Sequence, residues 1–245
     1  MRRFRADLHI HSCLSPCGDL DMSPKGIVEK SLERGMDIIA VCDHNSAENA
    51  AAVMRAGAQR GLHVFPGMEI NSVEEVHTLA IFQREDQALA MQDLVYKHLT
   101  GTNRPELFGD QVVANEFDEV EGFNDRLLIG SIRLGVQDVV NEVHRLGGLS
   151  IASHVDRPSF SILSQLGFVP PELRFDALEI SPHLDRYAIE STIPAAKGFA
   201  IVSFSDAHFI EDIGRHYTTF AMELPHLDEM RMALARKGGR EVEIH

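Results

Sequence analysis

The chain reads as an α/β protein built from βα units around a parallel sheet. Seven short runs rich in Val, Ile and Phe recur along it, longer helical patterns lie between most of them, and six of the runs end at or near His, Asp or Glu. Strands alternating with helices are what a parallel sheet requires, because each parallel pair needs a long crossover. A chain of 245 residues could be two small domains or one α/β barrel, which typically takes about 250. With no repeat, low-complexity tract or Gly/Ser- or Pro-rich linker, one domain over 1–245 is the simplest organisation.

The first strand is Phe4 to His9, and beyond it His9 and His11, two residues apart, fall on one face. Ser23 and Pro24 open a helix that runs to about Arg34 and stops at Gly35, since Ser caps well and Pro suits the first helical position. A strand at Asp37 to Cys42, a helix at Ala47 to Arg60 and a strand at His63 to Met68 follow, then a strand at Glu75 to Phe82 and a helix at Asp86 to His98. Thr100 to Leu134 is the least regular stretch and reads as an insertion, an active-site lid or a subunit contact. The helical spacing of Val112, Val113 and Phe117 points to an ordered segment there. Beyond it come a helix at Val136 to Leu146, strands at Leu149 to Ser153 and Ala177 to Ile180, a helix at Asp185 to Lys197, a strand at Ala200 to Phe204, and a helix at Leu227 to Arg236.

Composition narrows the class of partner. A net charge of −14 argues against non-specific binding to a phosphate backbone, so long nucleic acid is not expected as a partner. Three cysteines make no disulfide framework, and Cys13 and Cys17 lack the third thiol of a radical iron–sulfur motif. Neither a signal-length apolar segment at Met1 to Arg5 nor a run of about 20 apolar residues is present, which points to a cytoplasmic protein without a membrane partner. Oligomeric state is left open.

The chemistry concentrates at the strand ends, where the loops of a barrel build its site. Strand one supplies His9 and His11, with Asp19 in its loop; strand two supplies Asp43 and His44, strand three Glu69, strand four His77, strand five His154, and strand seven Asp206 and His208. Imidazole and carboxylate at six strand ends are hard to explain as packing, because buried charge is costly unless paired or bound to metal. Mixed N and O donors without clustered thiolate suit Zn, Mn or Fe. The donors are too many for one tetrahedral ion, so two or three divalent ions are expected. Glu69 is the natural bridge, since a carboxylate offers two oxygens whereas an imidazole binds through one nitrogen at a time. Such a cluster activates water and polarises a phosphoryl oxygen.

In order along the chain, Asp7-Leu-His-Ile-His11, Cys42-Asp-His-Asn45, Gly67-Met-Glu69, Ser153-His154 and Ser205-Asp-Ala-His208 resemble the motifs of the PHP (polymerase and histidinol phosphatase) family, and the likeness runs from residue 7 to residue 208. The resemblance implies a distorted, TIM-like (β/α)7 barrel with a trinuclear metal site and phosphoesterase activity. It also implies a ligand set: His9, His11, Glu69 and Asp206 for one ion, Glu69, His77 and His154 for a second, and Asp19, His44 and His208 for a third, with Asp21 the competitor of Asp19. Asp7 and Asp43 would orient histidines rather than touch metal.

Arg157, three residues past His154, is the candidate phosphate clamp, because a guanidinium grips phosphate bidentately. An ion pair with Asp156 is its alternative role, Arg133 and Arg215 are lesser candidates, and His183 follows strand six without an assigned part. With Asp206 and His208, Arg157 forms the expected catalytic set. The function expected is a phosphoric ester hydrolase acting on a small phosphorylated metabolite or nucleotide, most simply a phosphomonoester. An exonuclease-like phosphodiesterase on short oligonucleotides and a non-catalytic metal-stabilised scaffold are the alternatives.

Overall fold

The computed structural model describes residues 1–181 and 193–245. Its main sheet is built from β1 (Arg2–Ile10), β2 (Ile38–Val41), β3 (His63–Asn71), β4 (His77–Ile81), β7 (Leu149–Ala152), β8 (Ala177–Glu179), β9 (Ile201–Val202), β10 (Thr218–Met222) and β11 (Glu241–Ile244); β5 (Val112–Ala114) and β6 (Val120–Phe123) pair separately. The strand order β11-β10-β1-β2-β3-β4-β7-β8-β9 nearly closes on itself. Past β9, Ala207 bridges to the end of β1, with His11 N donating to Ala207 O at 3.0 Å and Ala207 N to His9 O at 3.2 Å. The seven strands expected from sequence therefore form the wall of a distorted barrel, and β10 and β11 extend it antiparallel alongside β1.

Alternation along the strands divides the core. Ala6, Leu8, Ile38, Ala40, Phe65, Leu79, Ile151, Val202 and Phe204 form one cluster within the sheet. Ile39 and Val41, on the other face, pack under α1 (Pro24–Glu33) and α2 (Ala50–Arg60) through Ile27, Val28 and Val53. Ala80 and Phe82 pack instead with Met91 and Val95 of α3 (Glu85–His98) and with Val139 and Val143 of the helix Val136–Arg145. Helix α1 begins as its sequence predicts, with Ser23 Oγ accepting from Gly26 N at 3.2 Å and Pro24 in the first turn.

The sheet is not all parallel. β4 runs antiparallel to both β3 and β7. The reason is chain length: β3 ends at Asn71 and β4 begins at His77, too short a link for a crossover. A second departure lies in β1, where the register with β2 shifts between Asp7 and Ile10. Ile10 leaves the inner cluster for the outer one, and His9 and His11 are aimed at the barrel rim, as strand irregularities near functional sites often do.

The stretch 100–134 is ordered, but as α4 (Pro105–Phe108) and the β5–β6 hairpin rather than as the helix suggested by Val112, Val113 and Phe117. Asn115 decides this locally, its Oδ1 accepting from the N–H groups of Phe117 and Glu119 at 3.0 and 3.1 Å to make the turn. The hairpin is fastened to the barrel by Asn49, whose side chain donates to Val112 O and accepts from Ala114 N, both at 3.0 Å. Residues of the expected helix Asp185 to Lys197, and His183, fall largely or wholly outside the described residues, although Pro194–Ala196 is a short 3-10 turn. Among the described residues no helix is long and apolar enough to cross a membrane.

Candidate metal centre

The ends of β1, β2 and β3 and the segments after β7 and β9 meet at one rim of the barrel. Because β4 is antiparallel, its first residue, His77, reaches the same rim. Gly67 permits the close packing beneath: a Cβ there would lie 2.8 Å from Ala80 O and 2.9 Å from Cys42 Sγ.

Glu69 occupies the middle. Its carboxylate lies 3.0 Å from His77 Nδ1, 3.2 Å from His44 Nδ1, 3.3 Å from His154 Nε2, 3.4 Å from His9 Nε2 and 3.5 Å from His11 Nε2. Asp206 Oδ1 is 3.2 Å from His9 Nε2 and 3.3 Å from His11 Nε2, and its Oδ2 is 2.6 Å from Arg157 Nη1. All these residues except Arg157 are nearly or fully buried. Three triads of donor atoms lie within 4.8 Å of one another among the described residues: His9, His11 and Asp206; His44, Glu69 and His77; and His11, His44 and His208.

Buried partners fix which nitrogen each ring turns inward. Glu179, in β8, meets His9 Nδ1 with both oxygens at 3.0 Å, leaving Nε2 toward the cluster. His11 Nδ1 meets Ser15 Oγ at 2.9 Å, and that hydroxyl donates to Asp43 Oδ1 at 2.7 Å. Asp43 thus reaches His11 through a serine, and it also accepts from Ser12 N and Oγ. His208 Nδ1 donates to Asp206 O at 2.9 Å. Asp7 does something other than orient a ring: its oxygens accept from Ser205 N at 3.1 Å and Gly214 N at 2.9 Å, pinning the loop that carries Asp206, and burial pushes its carboxyl up to about 6.

Protonation states suit metal ligands, which must present lone pairs. Burial, reinforced by neighbouring imidazoles, lowers His11 to about 3 and holds His44 well below its ordinary value. Burial works against ionisation of Glu69, but His77 and His9 outweigh it and keep the carboxylate charged; His9 does the same for Asp206. His9 is the exception, because Glu179, Asp206 and Glu69 overcome burial and raise it. The donors also fit a cation on geometry. Glu69 Oε1, Asp206 Oδ1 and His77 Nδ1 are buried without a hydrogen-bond partner. Glu69 and His77 face each other, and Asp206 faces His9, at ion-pair distance without a well-directed hydrogen bond, and a coordinated ion would take up their lone pairs.

Strained backbone collects at the rim. Asn45, His154, Phe160 and Asp206 all have positive φ, at 52°, 29°, 56° and 50°. Such conformations cost on the order of 1–3 kcal/mol each and persist where surroundings enforce them. Asn45 is held by Leu128 O and Gly130 O, both 2.7 Å from its Nδ2, which ties the end of the insertion to the site. Ile129 accordingly lines the cleft together with His44, Glu69, His77, His154, Arg157, Phe160, Asp206 and His208.

The Asp19 carboxylate is not grouped with the donors of His44 and His208. The backbone N–H of Asp19 donates to His208 O, but the exposed carboxylate turns to Asp21 N at 2.9 Å, and His11 takes its place in the triad. Asp21 is exposed as well. Arg157 pairs with Asp206 rather than Asp156, which accepts from Ser181, and Arg215 pairs with Asp212. Glu179 and Ser15 escape a reading of strand ends. The signal for Glu179 was present, a lone carboxylate inside the apolar run Ala177-Leu-Glu-Ile180, where burial without a partner would be prohibitive.

The chain is similar in sequence or fold to several known proteins. A Listeria monocytogenes DNA polymerase III of the PolC type is 32% identical over 92 residues, 38% of this chain but 6% of the polymerase. Among solved structures, the lesion-specific endonuclease from Pyrococcus furiosus superposes with a TM-score of 0.72 at 19% identity, covering 98% of this chain and 58% of that one. A protein from Bifidobacterium adolescentis assigned as a metal-dependent phosphoesterase gives a TM-score of 0.56 at 19% identity, covering 95% and 96%. The chain thus spans a small part of the polymerase and little more than half of the endonuclease.

One expectation is overturned. An endonuclease Q of the same fold (TM-score 0.67, 19% identity) holds a 27-mer duplex substrate with an abasic lesion at its active site, so net charge does not exclude long nucleic acid here. Formal charge omits bound cations, which are often the largest local charges at a site. A PHP-associated model matches residues 192–237. With the PHP domain model matching residues 7–160, well over half of its 245 residues, the chain belongs to the PHP domain family.

Proposed function

We propose that the chain is a metal-dependent phosphodiesterase that cuts nucleic-acid strands at the rim site. The observation that carries this reading is the shape of the cleft. Its cavity is about 190 Å³ and open to the surface, smaller than the roughly 300–1,000 Å³ of sites that engulf a whole small molecule. Such a cleft suits one phosphate and its immediate surroundings, with the rest of a strand running outside. The duplex held by the endonuclease Q relative supports the same substrate class.

In this reading His9, His11, Glu69 and Asp206 hold one ion, and Glu69, His77 and His154 a second. His44 and His208 would offer donors for a third, and His11 Nε2, near both groups, could serve only one of the two ions. Divalent ions there would supply Lewis acidity toward a phosphoryl oxygen and lower the pKa of bound water toward neutrality. The chain's own part is to hold imidazoles and charged carboxylates in place and to present Arg157. That guanidinium is 39% exposed in the cleft while it pairs with Asp206, so it can hold a non-bridging phosphate oxygen without losing its position.

Manganese-loaded protein is expected to cleave single-stranded oligonucleotides or an abasic-site duplex faster than p-nitrophenyl phosphate. Cleavage of the monoester alone would overturn the reading, and no hydrolysis of any substrate would favour a metal-stabilised scaffold. Arg157→Ala is expected to lower kcat/KM about 10- to 100-fold, from loss of a charged hydrogen bond of about 1.5–3 kcal/mol, with metal content unchanged. An unaltered kcat/KM would leave Arg157 as the partner of Asp206 only.

A further inference from the structure

We propose that Phe160 is a stacking platform for a nucleobase of the bound strand beside the metal centre. The inference rests on the phosphodiesterase reading and adds what the site grips besides phosphate. Phe160 is a large apolar side chain that is 40% exposed, yet it lines the same cavity as Glu69, His154, Arg157 and Asp206. Its ring lies flat on the His77 imidazole, with centroids 4.8 Å apart and planes 24° from parallel. The imidazole covers one face of the ring, and the remaining exposure borders the cleft. Ile129, 37% exposed, lines the same cavity and contributes a second apolar surface from the insertion.

The ring is held in place by the backbone. At φ 56° Phe160 occupies a conformation that a bulky residue rarely adopts. Its carbonyl accepts from His77 N at 3.0 Å, and the next residue is fixed twice, Ser161 Oγ donating to Arg157 O at 2.8 Å and accepting from Ser164 N at 3.1 Å. Strain on a half-exposed aromatic gains nothing for the core, so packing does not account for it. A rigid π-face that shares its cavity with an apolar side chain and a cluster of phosphate-binding groups matches the division of a nucleotide into flat base and anionic phosphate. Every base has such a face, so recognition of this kind tolerates sequence.

The test uses the manganese-loaded chain of 245 residues and two fluorescently labelled, phosphorothioate-linked pentanucleotides, one of thymidine and one with abasic tetrahydrofuran residues throughout. Wild type is expected to bind the thymidine strand more tightly by anisotropy. Phe160→Leu should weaken that strand by about tenfold, the order expected for one lost base–aromatic stack, while leaving the abasic strand and the metal-to-protein ratio unchanged. Phe160→Trp should restore the preference. Equal wild-type affinity for both strands, or equal weakening of both in Phe160→Leu, would overturn the proposal. Loss of metal in Phe160→Leu would also do so, assigning the ring to support of His77. Base-dependent binding without cleavage of unmodified strands would instead overturn the phosphodiesterase reading and leave the platform standing.

Discussion

Glu69→Gln is expected to abolish turnover and to remove at least half of the bound metal. Glu69 is the carboxylate that five imidazoles face within 3.0–3.5 Å, and among the described residues no other lies so near both His9 and His77. The amide keeps the volume but loses the charge, and its NH2 group cannot coordinate. Even residues that only orient metal ligands are worth about 10–100-fold in affinity or activity, so a bridging ligand should exceed the upper end of that range. Elemental analysis after desalting, paired with kcat/KM on an oligonucleotide, measures both effects. A variant that keeps its metal and its turnover would remove Glu69 from the centre.

The second large effect is expected at Glu179, which belongs to no donor triad but holds the Nδ1 side of His9. Glu179→Ala leaves His9 Nδ1 and the backbone N–H of His154, 3.1 Å from Glu179 Oε2, without their acceptor in a dry interior. Each orphaned group costs about 1–3 kcal/mol, so Tm should fall. Release of the His9 ring should weaken metal binding by about 10–100-fold, read by chelator competition. Glu179→Gln retains an acceptor oxygen and is expected to recover part of both losses. If alanine lowered Tm while the metal affinity stayed at the wild-type value, Glu179 would be a packing residue only.

Much of the molecule is legible without coordinates, for reasons that particular residues show. Ser23 and Pro24 announce a helix because capping and the fixed proline torsion are local effects. His9, His11, Glu69 and His154 stand out because a charged or imidazole side chain at the end of an apolar run is costly by itself, whatever lies opposite. The strands that were missed, β10 and β11, owe their existence to distant partners, β1 for one and each other for the second. The antiparallel course of β4 was implicit in the short link from Asn71 to His77, and the hairpin of the insertion in the hydrogen bonds of Asn115.

Sequence by itself determined which residues carry donors and that βα units would set them at strand ends, because side-chain period and turn chemistry act over a few residues. Tertiary structure decided which donors share a position. Barrel closure through Ala207 brings Asp206 to His9 and His11, the register shift in β1 aims those rings, and the turn of the Asp19 carboxylate toward Asp21 leaves its place beside His44 and His208 to His11. The same closure gave Glu179 its partner, and the pairing of β4 with β7 put Phe160 over His77. These are distances between residues up to about two hundred positions apart, set by strand register and closure, and no local pattern encodes them.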